Sequence, residues 1–162
     1  MKLREVLEMS AQALGIDEKD QRRILKTCAN MTLYDVATQY YDCVRTQTFE
    51  VTDNEINLAD LKERLHKIRK VSVPYELYSG FIGVRNGTIE VEYASIPKYV
   101  RLDEHIEKKC AIMDESILLY GVLMHYASIS SLKDEERIFK RKFEDALFGL
   151  CKIRRGKIRV MK

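Results

Sequence analysis

Histidines, cysteines and paired acids are the residues that most often carry chemistry, and in this sequence of 162 residues they are scattered. The three histidines, His66, His105 and His125, fall on separate segments. No H-E-x-x-H zinc motif, glycine-rich phosphate loop or G-x-S-x-G elbow joins them to other catalytic groups. His125 lies in an apolar stretch, where a partly buried structural histidine is expected. The sequence therefore predicts a protein that is not an enzyme, with no catalytic residue, metal ligand or cofactor.

The paired acids and the cysteines have simpler structural explanations. Asp103-Glu104 and Glu135-Glu136 stand where helices are expected to begin, and negative charge there complements the helix dipole. The four cysteines have no C-x-x-C spacing, so burial as small apolar side chains is favoured over metal ligation or disulfides. They are Cys28, Cys43, Cys110 and Cys151.

Positive charge is concentrated at the C-terminal end, in residues 152–162, which we call the C-terminal basic segment. The chain carries 28 Lys and Arg against 25 Asp and Glu, a net charge of +3. The segment holds six of the cations and no acid, so subtracting six from +3 leaves residues 1–151 at about −3. Apolar side chains are interleaved with these cations. We predict that the segment binds a partner through Lys152, Ile153, Arg154, Arg155, Lys157, Ile158, Arg159, Val160 and Lys162.

Several explanations of the C-terminal basic segment remain open. It could be a disordered, solubilising end, although such an end does not need the interleaved apolar side chains. It could dock on a protein groove or sheet edge, where an extended segment gains backbone hydrogen bonds. It could bind nucleic acid by neutralising phosphates, but it has no aromatic side chain to stack on bases. Membrane docking is the third choice, and no stretch is long and apolar enough to predict a membrane span.

Helical periodicity dominates both ends of the sequence. Residues 2–14 predict a first helix ended by Gly15, and Asp17 suits the N-cap of a second helix that continues to about Val44. We interpret this second helix as the long central helix of the core. Two further helices follow Pro97, on apolar stripes formed by Ile106, Cys110, Met113, Ile117, Tyr120, Met124 and Ala127, and by Phe139, Phe143, Ala146, Leu147 and Leu150.

The region between the helices, about residues 46–97, favours β structure. Residues 46–51 alternate as a strand does, whereas residues 65–71 fit either a strand or a helix. Asn86-Gly87 suits a type I′ turn, so we predict a two-residue β-hairpin loop there. Its register would pair Val84 with Ile89 and Ile82 with Val91, with Tyr93 on the same buried face.

The predicted fold class is α+β, mainly α. We expect a helical bundle with a long central helix, a β-hairpin insertion between helices 2 and 3, and a basic C-terminal tail. Residues 1–151 would form a single domain that includes the insertion at about 46–97, and residues 152–162 would form the tail.

This layout resembles the head–tail adaptor proteins of tailed bacteriophages, also called connector, ring or tail accessory proteins. The matching stretch begins with Val91-Glu92-Tyr93-Ala94-Ser95-Ile96-Pro97 and Leu102-Asp103-Glu104-His105-Ile106. It continues through Leu118-Leu119-Tyr120-Gly121 and Tyr126-Ala127 into the last helix. A long helix near the N-terminus and a basic end also fit, while residues 46–80 match loosely.

The resemblance implies a structural virion protein that forms a homo-oligomeric ring, commonly of twelve copies, between the capsid portal protein and a downstream tail or stopper protein. DNA would be present only as the contents of the ring lumen. The protein would be found in the host cytoplasm during assembly and then at the head–tail connector of the virion. An alternative function is a small nucleic-acid-binding protein that uses its basic end.

The resemblance also implies roles for two sets of residues. The C-terminal basic segment would grip the portal. The hairpin would contact a neighbouring subunit or the next tail component, through Ile82, Val84, Asn86, Gly87, Ile89 and Val91. Because the β region is longer than in the simplest family members, the partner of the hairpin stays open.

Overall fold

The computed structural model describes residues 1–106, 110 and 113–159, with the backbone alone for residues 150–159. The described chain forms two compact units. We call them the helical unit, residues 1–40 and 99–162, and the β unit, residues 41–98. None of the described helices combines the length and apolar composition that crossing a membrane requires.

The helical unit contains four α-helices in its described residues, and the β unit six strands. The helices are α1 (Leu3–Leu14), α2 (Glu18–Asp35), α3 (Glu115–Ile129) and α4 (Lys133–Arg159), and a π-helical turn, Val36–Tyr40, follows α2. The strands are β1 (Cys43–Val51), β2 (Glu55–Asn57), β3 (Arg64–Val71), β4 (Glu76–Tyr78), β5 (Phe81–Gly83) and β6 (Gly87–Ile96).

The predicted helical bundle with a single β-hairpin insertion is wrong. The six strands form two three-stranded antiparallel sheets, in the orders β1-β6-β3 and β2-β5-β4. Their inner faces share one apolar core. The fold is therefore α+β with a separate β unit that has a core of its own.

The predicted pairing of β5 with β6 is wrong, because these strands belong to different sheets. A type I′ turn needs a positive φ at both central residues, and only Gly87 of the Asn86-Gly87 pair has one, at 135°. The Asn86 side chain instead accepts a hydrogen bond of 2.8 Å from the backbone N–H of Asn54. The five apolar side chains assigned to one face are nevertheless buried in the shared core: Ile82, Val84, Ile89, Val91 and Tyr93.

Two register shifts in β3 explain why residues 65–71 fitted both a strand and a helix. Leu65, Ile68 and Val71 are spaced by three, yet they pair with Ser95, Tyr93 and Val91, which are spaced by two. The register shifts between Leu65 and Lys67 and again between Ile68 and Lys70, so each step holds one extra residue, as in a β-bulge. Because of the bulges, Leu65, Ile68 and Val71 all face the core, although they are three residues apart in the sequence.

The first two helices begin as the sequence predicts. Gly15 ends α1 with a φ of 67°, and the Asp17 side chain accepts a hydrogen bond of 2.8 Å from the Lys19 N–H at the start of α2. The predicted continuation of the second helix to Val44 is wrong. Beyond Tyr40 the chain joins a sheet, where Cys43 and Val44 pair with β6. These backbone hydrogen bonds replace those of a longer helix.

The central helix is α3 rather than α2. Helix α3 packs against α1, α2 and α4 and is apolar around most of its circumference. Gly121 lets it approach α2 closely, because a Cβ atom built there would lie 2.2 Å from Cγ2 of buried Thr32. The helix begins only at Glu115, capped by Asp114, so Ile106 and Cys110 are buried ahead of it.

Helix α4 begins at Lys133 and buries Phe143 and Leu147. Its backbone continues as helix to Arg159, so most of the predicted tail extends the last helix. The first turn of α4 contains Asp134, Glu135 and Glu136. Their negative charge stabilises this end of the helix by interacting with the positive end of the helix dipole.

Candidate interaction surfaces

The residues predicted to form a partner-binding hairpin lie mostly inside the β unit. Ile82 and Val91 have no exposed surface, and Ile89 and Val84 are also buried. These side chains therefore contact one another and the rest of the core in the folded chain. Asn86 and Gly87 are exposed and lie where the chain passes from one sheet to the other.

The other predicted site, the C-terminal basic segment, is described in part. Residues 152–159 have a helical backbone, and their side chains lie outside the described residues. Residues 160–162 lie outside the described residues altogether. The predicted role of this segment in binding a partner stays a prediction.

A groove at the edge strand β4 is a concave surface of the β unit, and we call it the tyrosine groove. It has a volume of about 440 Å³. Two exposed tyrosines line it: Tyr78 is 57% exposed, and Tyr75 is also exposed. The lining residues are Asn54, Glu55, Pro74, Tyr75, Glu76, Tyr78, Gly83, Val84 and Arg85.

Strand pairing places two carboxylates of the tyrosine groove on either side of Gly83. Glu55 on β2 and Glu76 on β4 both pair with this residue of β5. The ring of Tyr78 lies over Gly83, and a Cβ there would lie 2.6 Å from its Cε2. The Tyr78 hydroxyl donates to Glu76, and this hydrogen bond raises the pKa of Tyr78. Packed rings beside carboxylates form a surface suited to cationic side chains.

The β unit also carries a cluster of cations at the start of β3, and we call it the β3 basic end: Lys62, Arg64 and Lys98. All three are exposed, and Lys98 Nζ donates a hydrogen bond of 2.8 Å to the backbone oxygen of Lys62. Further along β3, Lys67 and Arg69 form ion pairs with Asp42 at 2.9 and 3.3 Å. Two of the four Lys and Arg residues of β3, Lys67 and Arg69, are thus ion-paired, and Arg64 belongs to the group at its start.

Neither surface of the β unit was predicted from the sequence. The net charge of about −3 for residues 1–151 concealed the local excess of cations at residues 62–70. The run of Lys and Arg in these residues was the available signal for the β3 basic end. For the tyrosine groove the signals were Tyr75 and Tyr78, which stand between a proline and a glycine.

The helical unit exposes apolar side chains on two faces. The α2 face consists of Ile24, Met31 and Tyr34, and its spacing of seven and three residues keeps these side chains along one side of the helix. The α4 face consists of Ile138 and Phe148, which are 52% and 59% exposed and lie ten residues apart, about 15 Å along the helix. Aromatic residues and Met are enriched at the core of protein–protein interfaces.

A small polar pocket of about 270 Å³ in the helical unit is lined by the partly buried His125 of α3. Nε2 of His125 lies 3.1 Å from Oδ2 of Asp35. Burial lowers the pKa of His125, although the nearby Asp35 and Glu136 raise it. Burial also raises the pKa of Tyr40, which the π-helical turn places at the same pocket. His125 is partly buried, as the sequence predicts.

The described residues contain no group of three or more His, Cys, Asp or Glu side chains placed to hold a metal ion. Cys28, Cys43 and Cys110 are buried and form no disulfide with one another. Burial raises the pKa of Cys28 to about 11, so its thiol stays protonated at neutral pH. This favours the structural explanation of that cysteine over a reactive one.

Comparisons with known proteins leave the chain without a family assignment. No protein-family model matches it, and no curated protein matches it either.

Proposed function

We propose that this protein is a structural subunit of a bacteriophage head–tail adaptor ring, which joins the capsid portal to the tail and encloses the passage for DNA. The copies would pack side by side through their helical units. The resemblance of residues 91–150 to adaptor proteins supports the proposal. The order of elements along the chain, with the strands following α2 and preceding α3, supports it too.

The observation that carries the proposal is the pair of exposed apolar faces on different helices of the helical unit. A closed ring requires a heterologous contact, in which one surface of a subunit meets a different surface of the next. The α2 face and the α4 face provide two such surfaces. Tyr34 and Phe148 are aromatic side chains, of the type that contributes most to interface affinity.

The test is a complementation experiment between two variants. Met31→Glu/Tyr34→Glu removes the α2 face, and Ile138→Glu/Phe148→Glu removes the α4 face. We expect the wild-type protein to form rings of uniform diameter by negative-stain electron microscopy, and each variant alone to be monomeric by mass photometry. An equimolar mixture should form a heterodimer, because each variant supplies the face that the other lacks.

A matched control is Gln12→Glu/Ala13→Glu, which adds two charges at exposed positions of α1. It should leave ring formation unchanged. A wild-type protein that stays monomeric at high concentration, and that does not bind the portal ring of the same virus, would contradict the proposal. A heterologous contact between the two faces would also be contradicted if either variant alone still formed dimers through its remaining face.

A further inference from the structure

We infer that the tyrosine groove of one copy receives the β3 basic end of a second copy. The inference deepens the proposed function, on which it rests for the presence of several copies side by side. It assigns to the β unit a contact between opposite charges, in addition to the apolar contact proposed for the helical units.

The chemistry of the tyrosine groove fits the side chains of Lys and Arg. Glu55 and Glu76 provide carboxylates for the cationic head groups, while the rings of Tyr75 and Tyr78 provide faces for the aliphatic stems and for cation–π contact. Arg85 is the one cation that lines the groove among the described residues, so acids outnumber cations there.

The β3 basic end has the complementary chemistry. Its three side chains are exposed, whereas Lys67 and Arg69 further along the strand already form ion pairs with Asp42, and Arg69 also pairs with Glu92. The two register shifts of β3 disrupt regular pairing along its outer edge, so this edge is poorly suited to adding a partner strand. The feature that β3 offers a partner is therefore its charge.

A single copy cannot bring the two surfaces together along β3. Lys62 and Arg64 stand at the start of the strand, and Pro74 and Tyr75 of the groove follow its end. A strand rises about 3.3 Å per residue, so the eight residues of β3 separate the two surfaces by roughly 25 Å. Complementary charges at opposite ends of one element favour head-to-tail contact between copies, which is the heterologous geometry of a ring.

The test is a charge exchange. Lys62→Glu/Arg64→Glu reverses the β3 basic end, and Glu55→Lys/Glu76→Lys reverses the groove. Each variant alone should weaken self-association roughly tenfold at 50 mM salt. The chain that carries all four substitutions should recover wild-type association, because its charges are complementary again. The association constants would be measured by sedimentation velocity at 50 and 500 mM salt, and the differences should shrink at the higher salt.

The control is Arg4→Glu/Lys19→Glu, which makes the same change of net charge at exposed positions of α1 and α2 outside the α2 face. It should leave association unchanged. Failure of the four-substitution chain to recover would overturn the inference. So would rescue of the reversed groove by Arg154→Glu/Arg155→Glu, since the C-terminal basic segment would then be the occupant.

Nucleic acid is the remaining occupant of the β3 basic end to be tested. If Lys62→Glu/Arg64→Glu abolished retention of duplex DNA at low salt and left self-association intact, the inference would be overturned in favour of phosphate binding. These outcomes are distinguishable from failure of the proposed function, because complementation between the α2-face and α4-face variants uses other residues.

Discussion

The helical unit and the β unit differ in the surface that they leave exposed. The helical unit exposes aliphatic and aromatic side chains on α2 and α4, whereas the β unit separates cations at the start of β3 from acids and tyrosines at the edge of β4. Apolar contacts depend weakly on salt, and contacts between exposed charges depend on it strongly. The two units would therefore contribute separable parts of an assembly, one that withstands salt and one that salt weakens.

The two units also differ in the elements that form their cores. In the helical unit α3 packs against α1 and α2, which come from a distant part of the chain. In the β unit strands pair, from Cys43 with Ser95 to Val51 with Gly87. Substitutions in one core are the most direct way to find out how far the two units unfold independently.

The largest effect is expected from Ile82→Ala in the β unit. Ile82 has no exposed surface, so the truncation leaves a cavity in the shared core and should lower the free energy of unfolding by about 3 kcal/mol. Hydrogen exchange would be measured at the amides of β6 and of α3. Faster exchange in β6 with unchanged exchange in α3 is the expected result.

The exposed Ile129 is the control for this truncation, and Ile129→Ala should change the free energy of unfolding by no more than about 0.5 kcal/mol. Equal acceleration of exchange in α3 and β6 by Ile82→Ala would show that the two units unfold as one.

Gly121→Ala should lower the stability of the helical unit. The new methyl group would overlap Thr32 Cγ2, and overpacking of this kind costs about 2 to 3 kcal/mol. Urea denaturation followed by circular dichroism would measure the loss, and Thr32→Ala in the same chain should recover part of it. Gly149→Ala in α4 is the matched control, because no atom of the described residues beyond its chain neighbours and its own helix backbone lies within 4 Å of the added Cβ, and the change should be neutral or slightly stabilising. Equal effects of the two substitutions would contradict a close approach of α2 and α3 at Gly121.

A smaller effect is expected at Asn86, where the observed link between the sheets differs from a type I′ hairpin. Asn86→Gly should lower the free energy of unfolding by about 1 kcal/mol, because it removes the hydrogen bond to the Asn54 N–H. A type I′ turn would tolerate or favour glycine at this position. Thermal unfolding of the variant would measure the change, and an increase in stability would support the hairpin instead.

The smallest effect concerns pH and the buried His125. Its pKa in the folded protein is lowered from 6.5, so the unfolded chain binds the proton more readily. The stability that the neutral side chain contributes is present above pH 6.5 and is lost as the pH falls through the lowered pKa. Urea denaturation between pH 5 and 8 should show a smaller loss on acidification in His125→Gln than in the wild type. Parallel pH profiles of the two proteins would contradict this role.

Short-range signals made part of the fold predictable. Gly15 and Asp17 mark helix boundaries through their own backbone conformation and side chain, and both are found where expected. The long-range pairings were not predictable in the same way. Asn86-Gly87 favours a hairpin locally, but Asn54 provides a hydrogen-bond donor from 32 residues away. In β3 the spacing of three among Leu65, Ile68 and Val71 became interpretable only against the spacing of two in β6.

The candidate surfaces were predictable to a smaller extent. The C-terminal basic segment is evident in the sequence because its charges are contiguous. The tyrosine groove is not, because Glu55 and Glu76 come together only where β2 and β4 pair with Gly83 from opposite sides. The apolar faces of α2 and α4 were hidden for another reason, since an apolar residue in a sequence does not show whether it is buried.

The sequence by itself determined which residues of this protein are apolar, where its first two helices begin, and that positive charge gathers at its C-terminal end. Local conformation and composition are enough for these properties. Only the tertiary structure decided that α3 is the central helix, that the β region is a unit of two sheets, and that Ile82 and Val91 lie in different sheets. These outcomes depend on contacts between distant segments, whose energies no local pattern contains.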